Sequence, residues 1–248
     1  MLPSRALPRR IRWLAQEGLR RAGWVHATTP GEFGSAFEKI YARCAPFSMA
    51  PVERMYALYE AARYLDSIAI EGAIVECGVW RGGSMMMAAL ASLPHGRTGR
   101  PLYLFDTFAG MPEPGPEDGT LAHAQWKDQQ RKGGWARSPI DEVRGNLLRL
   151  GLAEERLSLV EGRVEETIPA SAPERIALLR LDTDWYSSTR HELVYLYPRL
   201  EPGGVLIIDD YGHFGGARRA VDEYFEDHGP ALLTRIDYSC RLAVKPHR

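Results

Sequence analysis

The spacing of apolar positions changes character repeatedly along the chain. In PVERMYALYEAARYLDSI, residues Met55, Leu58, Ala62 and Leu65 recur at helical intervals on one side. AIVECGV follows, a short apolar run rich in β-branched residues and closed by glycine, which predicts a strand. The alternation continues with MMMAALASL as a helix, PLYLFD as a strand and IDEVRGNLLRLG as a helix stopped by Gly151. RLSLVEG and ERIALLRLD then read as strands, and SSTRHELVYLYPRL as a helix closed by EPGG. VLIIDD is a buried strand, ARRAVDEYFEDHG a helix with a glycine stop, and RIDYSCRLAVKP a hairpin of antiparallel strands for a sheet edge. Helices of this length between strands imply βαβ crossovers, so the predicted fold is α/β, a mostly parallel sheet with helices on both faces and an antiparallel C-terminal edge.

Two stretches depart from this rhythm. MPEPGPEDGTLAHAQWKDQQRKGGWARSP is rich in Pro, Gly and charge and too long for an ordinary connection, so residues 112–139 are expected to form a lid or substrate loop. Trp126 and Trp135 within it can stack on a ligand or pack the loop down. Near the start, LPRRIRWLAQEGLRRAGW is heavy in arginine and has no continuous apolar stretch. It is expected to be neither a signal peptide nor a membrane span. It reads as a docking or oligomerisation helix with a basic face, or as a surface for membrane contact. Residues 1–47 are thus expected to be a helical arm, with 48–248 the main domain and a homodimer the expected assembly.

Composition narrows the partners. The 248 residues carry 31 Lys and Arg against 32 Asp and Glu, which argues against a mainly electrostatic nucleic-acid binder. Cys44, Cys77 and Cys240 have no CxxC spacing and read as reduced thiols of a cytoplasmic protein.

Parallel sheets bind ligands beyond the carboxyl ends of their strands, where this sequence places its unusual residues. In VECGVWRGGS, Glu76 and Gly78 close a strand, Gly82 and Gly83 open a helix, and Ser84 lies in its first turn. Glycine there permits a sharp turn and close approach of a ligand, and the free amides of a helix start attract an anion. Asp106 ends the next strand at about the offset, roughly 20 residues, of an acid that accepts hydrogen bonds from ribose hydroxyls. Together these point to a nucleoside with an anionic tail. Asp182 ends one later strand, and Asp209 and Asp210 end another, so all three are expected to converge at one sheet edge. Carboxylates that close repel one another, and a hard cation, Mg²⁺ before Ca²⁺ or Mn²⁺, relieves them.

VECGV, FDTFAGMP, RLDTDWYSST, LYPRLEPGG and IIDDYGHFGGARRAVDEYF, in this order over about 49–225, resemble the macrocin O-methyltransferase (TylF-like) family. The resemblance implies a Rossmann-like class I methyltransferase fold, S-adenosylmethionine, Mg²⁺ and methylation of a sugar hydroxyl on a glycosylated natural product, as in antibiotic biosynthesis. It places Glu76, Gly78 and Ser84 at the methionine end of the cofactor, Asp106 at the ribose, and Gly162, Val164 and Glu165 at the adenine, and Gly82 of the helix-opening turn is expected to bind the cofactor as well. Ser48 and Met49 cover the methyl-donor side, and Asp182, Asp209 and Asp210 are the metal aspartates. Similar catechol methyltransferases carry a lysine three residues after the first metal aspartate, where this chain has Trp185. The base is therefore left between Asp182 and Asp184, with His213 a further candidate.

Other classes fit less of the sequence. A D-x-D glycosyltransferase leaves the glycine turn and Asp106 without a role, a dehydrogenase needs G-x-G-x-x-G, and a non-catalytic nucleotide-binding module has no need of clustered acids. A small glycoside or deoxysugar is the expected partner.

Overall fold

The computed structural model describes residues 33–92 and 99–247. The basic stretch expected to be a docking helix lies outside them. Seven strands form one sheet in the order β3-β2-β1-β4-β5-β7-β6. They are β1 (Ala73–Cys77), β2 (Leu102–Asp106), β3 (Leu157–Glu161), β4 (Ile176–Leu181), β5 (Leu200–Ile208), β6 (Thr234–Arg235) and β7 (Arg241–Val244). The first five are parallel and β7 runs antiparallel to β5, as the terminal hairpin pattern predicts.

The two-residue period of the strands divides the core. Ile74, Leu178, Val205 and Ile207 face one layer, and Val75, Leu179, Leu206 and Ile208 the other. On the first face pack α1 (Gly34–Cys44), α2 (Val52–Ser67), α3 (Gly83–Ser92) and α5 (Ile140–Arg149). The stripe Met55, Leu58, Ala62 and Leu65 of α2 is buried there. The other face is covered by the short α6 (Val164–Thr167), by α7 (Tyr186–Leu196) through Leu193 and Leu196, and by α8 (Gly215–His228) through Val221 and Tyr224. The described part of the N-terminal arm is integral to the fold. Phe37 of α1 is fully buried and meets Tyr56 and Tyr59 of α2 edge-on at 5.1 and 5.4 Å.

The 112–139 segment is more ordered than its composition suggests. It contains α4 (Gly119–Arg131), and its flanks are tied to the sheet side. The Trp185 indole donates to the carbonyl of Pro112 at 3.0 Å, and the Trp126 indole to that of Met111 at 3.0 Å. Asp118 accepts from the backbone amide of Tyr186 at 2.7 Å, which satisfies a free donor in the first turn of α7. Burial of Ala122, Trp185, Phe214 and Ala217 in a small separate cluster provides the hydrophobic anchorage that residues 112–139 do not carry alone. Among the described residues no helix is long and apolar enough to cross a membrane.

Candidate active site

Register places the site. Cys77 pairs with Leu181, and Leu181 with Ile208, so Gly78, Asp182 and Asp209 leave three adjacent strands side by side. The backbone ladder extends one step further: Asp182 donates to Cys77 at 2.8 Å and Asp209 to Leu181 at 2.9 Å. Gly78 sits at φ +82°, and a Cβ there would stand 2.0 Å from the carbonyl oxygen of Asp182, so the approach of these strand ends requires glycine.

Asp106, at the end of β2, binds the glycine turn. Its Oδ2 accepts from the amides of Val79 and Trp80 at 2.6 and 3.0 Å, and its Oδ1 from that of Phe108 at 2.7 Å. It lines a cavity together with Met49, Gly78, Gly162, Val164 and Glu165. Six of the nine residues expected around one cofactor thus line one space, although Asp106 also shapes the loop. Three others lie apart from that lining. Ser84 lines a neighbouring cavity, Gly82 turns the chain at φ +91° against Val143 and Leu147, and Glu76 is buried beneath.

Glu76 belongs to an ion network that sequence reading did not anticipate. Arg180, buried on β4, donates through Nη1 to Glu76 Oε1 at 2.5 Å, and its Nη2 reaches Asp182 Oδ2 at 2.8 Å and Asp209 Oδ2 at 2.7 Å. Arg54 of α2 also donates to Asp209 Oδ2 at 2.9 Å, to Asp237 at 2.7 Å and to Ser239 at 2.5 Å. The second oxygen of Glu76 is buried with no partner. Burial pushes the Glu76 carboxyl up to about 7 despite the opposing attraction of Arg180. The signal for this network was present in ERIALLRLD: an arginine inside an otherwise apolar strand must be matched by acids when the strand is buried.

The acids divide in a way that strand ends alone did not reveal. Asp182, Asp184 and Asp210 bring carboxylate oxygens within 4.8 Å of one another. Asp209 is not in that trio; it lines the same cavity, but two guanidinium groups hold its Oδ2. The structure therefore brings together two of the three expected metal aspartates and adds Asp184, for a backbone reason. Asp184 has φ +69° and the amide of Trp185 donates to the carbonyl of Thr183 at 2.8 Å, so a tight three-residue turn swings Asp184 back toward Asp182. Burial raises all three carboxyls, Asp184 to about 7 and the other two well above the carboxylate range. Repulsion from neighbouring acids adds to the burial effect at each. A cation among them would reverse this repulsion, and three oxygen donors suit a hard divalent ion.

The acid cavity is also lined by Ser48, Met49, Ser84, Trp135, His213 and Tyr238. His213 contacts Gln125 and Tyr238 at 3.4 Å, and burial, followed by the charge of Arg54, keeps its imidazole below the usual value. Met49, Trp80, Trp135, Asp182 and Asp184 line both this cavity and the one beside Asp106, so the two spaces meet at the acids. Cys44, Cys77 and Cys240 are free and buried, and the Cys240 thiol packs against Asp209 Oδ1 at 3.8 Å.

The sequence matches the family model for macrocin-O-methyltransferase (TylF) over residues 41–243. It is 35% identical over 184 residues to the 8-demethyl-8-(2,3-dimethoxy-alpha-L-rhamnosyl)-tetracenomycin-C 4'-O-methyltransferase of Streptomyces olivaceus, spanning 73% of this chain and 69% of that protein. It is 33% identical over 160 residues to the mycinamicin III 3''-O-methyltransferase of Micromonospora griseorubida, spanning 64% of this chain and 63% of that protein. The solved structure of the O-methyltransferase NovP superposes with a TM-score of 0.73 at 29% identity, over 81% of this chain and 83% of that one.

Proposed function

The chain belongs to the macrocin-O-methyltransferase family, and we propose that it methylates a sugar hydroxyl of a glycosylated small molecule, using S-adenosylmethionine and a divalent cation, Mg²⁺ first. The observation that carries this reading is the shared wall of the two cavities. A methyl donor in one and an acceptor in the other would meet at Asp182 and Asp184. Two relatives, the 4'-O-methyltransferase of a rhamnosyl-tetracenomycin and the mycinamicin III 3''-O-methyltransferase, support a glycoside acceptor. Family membership leaves the glycosyltransferase and plain nucleotide-binding readings without support.

The residues fit both absent groups. The unpartnered buried oxygen of Glu76 suits the ammonium of a methionine moiety, and the cavity lined by Gly78, Asp106, Gly162, Val164 and Glu165 suits its nucleoside. Asp182, Asp184 and Asp210 would hold the cation. When bound, S-adenosylmethionine supplies an electrophilic methyl group, and a divalent ion supplies Lewis acidity toward the hydroxyl.

The protein's own groups orient the acceptor and remove its proton. Near-contact alignment of reacting atoms lowers a barrier by about 7–11 kcal/mol in the best cases, so the cavity walls matter as much as the base. Between the two candidate bases, the Asp182 carboxylate is already engaged by the Arg180 guanidinium at 2.8 Å. Asp184, for which no arginine pair is seen among the described residues, is the carboxylate left to receive the hydroxyl proton. His213, with its lowered value, would serve as a neutral hydrogen-bond partner for the sugar. The test is methyl transfer from labelled S-adenosylmethionine to a panel of deoxysugar glycosides, with and without EDTA. Label in a sugar, lost on chelation and restored by Mg²⁺, is expected. Full activity after exhaustive chelation would overturn the cation, and transfer to a non-sugar acceptor alone would overturn the substrate class.

A further inference from the structure

Glu192 has no place in the chemistry above, yet it is a fully buried carboxyl directly behind it. It lies on α7 at 0% exposure, and its Oε1 accepts from Thr183 Oγ1 at 2.9 Å. Its Oε2 is buried with no N–H or hydroxyl donor, and the buried Cys77 thiol is the polar group that packs against the carboxyl. An apolar side chain would fill such a position at lower cost, because burying a polar oxygen without an N–H or hydroxyl donor is unfavourable.

What Glu192 grips is the residue between the two acids. Thr183 and Trp185 close the turn whose centre is Asp184 at φ +69°, a conformation that L-residues avoid and that persists only when surrounding contacts over-determine it. Those contacts are visible. The Trp185 ring is buried and its indole is tied to Pro112, and the Ser188 hydroxyl donates to the carbonyl of Trp185 at 3.1 Å. Both fix the far side of the turn. On the near side, the Glu192 carboxyl receives the Thr183 hydroxyl and so sets the orientation of the peptide groups that carry Asp182 and Asp184.

We propose that Glu192 is a positioning residue: through Thr183 it locks the strained turn that presents Asp182 and Asp184 to the acceptor cavity. The lock itself is independent of any ligand, and its consequence for cation binding rests on the cation reading given above. Burial keeps the Glu192 carboxyl well above the usual range, consistent with a neutral hydrogen-bonding group rather than a counter-ion.

The test uses the full chain with Glu192→Gln, Glu192→Met, Thr183→Val and the Glu192→Met/Thr183→Val double variant. Hydrogen exchange is read at the amides of Asp182 and Trp185, both hydrogen-bonded here, and Mn²⁺ affinity by calorimetry. Losing one net hydrogen bond, on the order of 1 kcal/mol, predicts that Glu192→Met and Thr183→Val each speed local exchange about five- to tenfold. Exchange elsewhere, the S-adenosylhomocysteine affinity of Glu192→Met, and Glu192→Gln in every readout should stay within about twofold of wild type, and the double variant should exchange at the turn no faster than either single one. Mn²⁺ affinity should fall in parallel with the turn. Unchanged exchange at both amides, or acceleration spread evenly over the sheet, overturns the proposal. A wild-type protein that binds no Mn²⁺ overturns the cation reading instead, and the exchange data still decide whether Glu192 locks the turn.

Discussion

Arg180 donates to Asp209 at 2.7 Å, and this contact separates two neighbouring aspartates that look alike in sequence. Asp209 is 2% exposed and held by Arg180 and Arg54, whereas Asp210, one residue later, joins Asp182 and Asp184. The consequence is a division of labour at IIDDYGHF. Asp209→Asn should lower the melting temperature, since it leaves two guanidinium groups short of a partner; breaking a buried pair costs about 3–5 kcal/mol. Asp210→Asn should instead weaken Mn²⁺ binding about tenfold or more with little thermal change. Calorimetry and thermal melts on the pair of variants check this, and equal loss of metal affinity in both would restore Asp209 to the ligand set.

Gly78→Ala is expected to disable the protein without touching any charged group. The new Cβ would meet the Asp182 carbonyl at 2.0 Å on a backbone at φ +82°. Steric and conformational strain together should cost about 1–3 kcal/mol or more, and strand ends that separate should also misplace Asp182. Thermal melts and titration with S-adenosylhomocysteine should both report the loss.

Asp106 separates ligand binding from loop shape. Its three backbone acceptor contacts hold Val79, Trp80 and Phe108, so Asp106→Ala should both weaken S-adenosylhomocysteine binding and raise hydrogen exchange across 78–81. Hydrogen bonds to a charged group contribute about 1.5–3 kcal/mol each, so a tenfold or greater loss of affinity is expected. Weaker binding with the loop still protected would assign Asp106 to the ribose alone.

The pH dependence of stability follows from the buried acids. Glu76 and Asp184 have carboxyls near 7 in the folded protein, against 4.5 and 3.8 ordinarily. The native state therefore keeps protons that the unfolded chain has released, and in EDTA stability should fall as pH rises from about 4 to about 7. Asp184→Asn should flatten part of that fall. A melting temperature that rises across this window in the chelated protein would contradict the assigned environments.

Much of this architecture was legible in the chain. The period of apolar residues delivered the five parallel strands, the long helices α2, α3, α5, α7 and α8 and the antiparallel hairpin, but not the single-turn α6, because burial on one face or two leaves a repeating trace only over several turns. Glycine at 78 was legible for a similar reason: only a residue without Cβ permits the turn. The 112–139 segment was harder to read. Its Pro and Gly content pointed to a loop, while α4 draws support from contacts with Trp185, Phe214 and α8, which no local pattern encodes.

The sequence by itself determined that acids cluster at two strand ends, that a glycine turn precedes them, and that an arginine sits in an apolar strand. Only the tertiary structure decided which acid faces which charge. Arg54 comes from 155 residues before Asp209, and Glu192 meets Thr183 across a helix turn and a strand end. Electrostatic pairing falls off with distance in space, not along the chain, so neighbours such as Asp209 and Asp210 acquire different roles once the sheet register and the turn at Asp184 have set their directions.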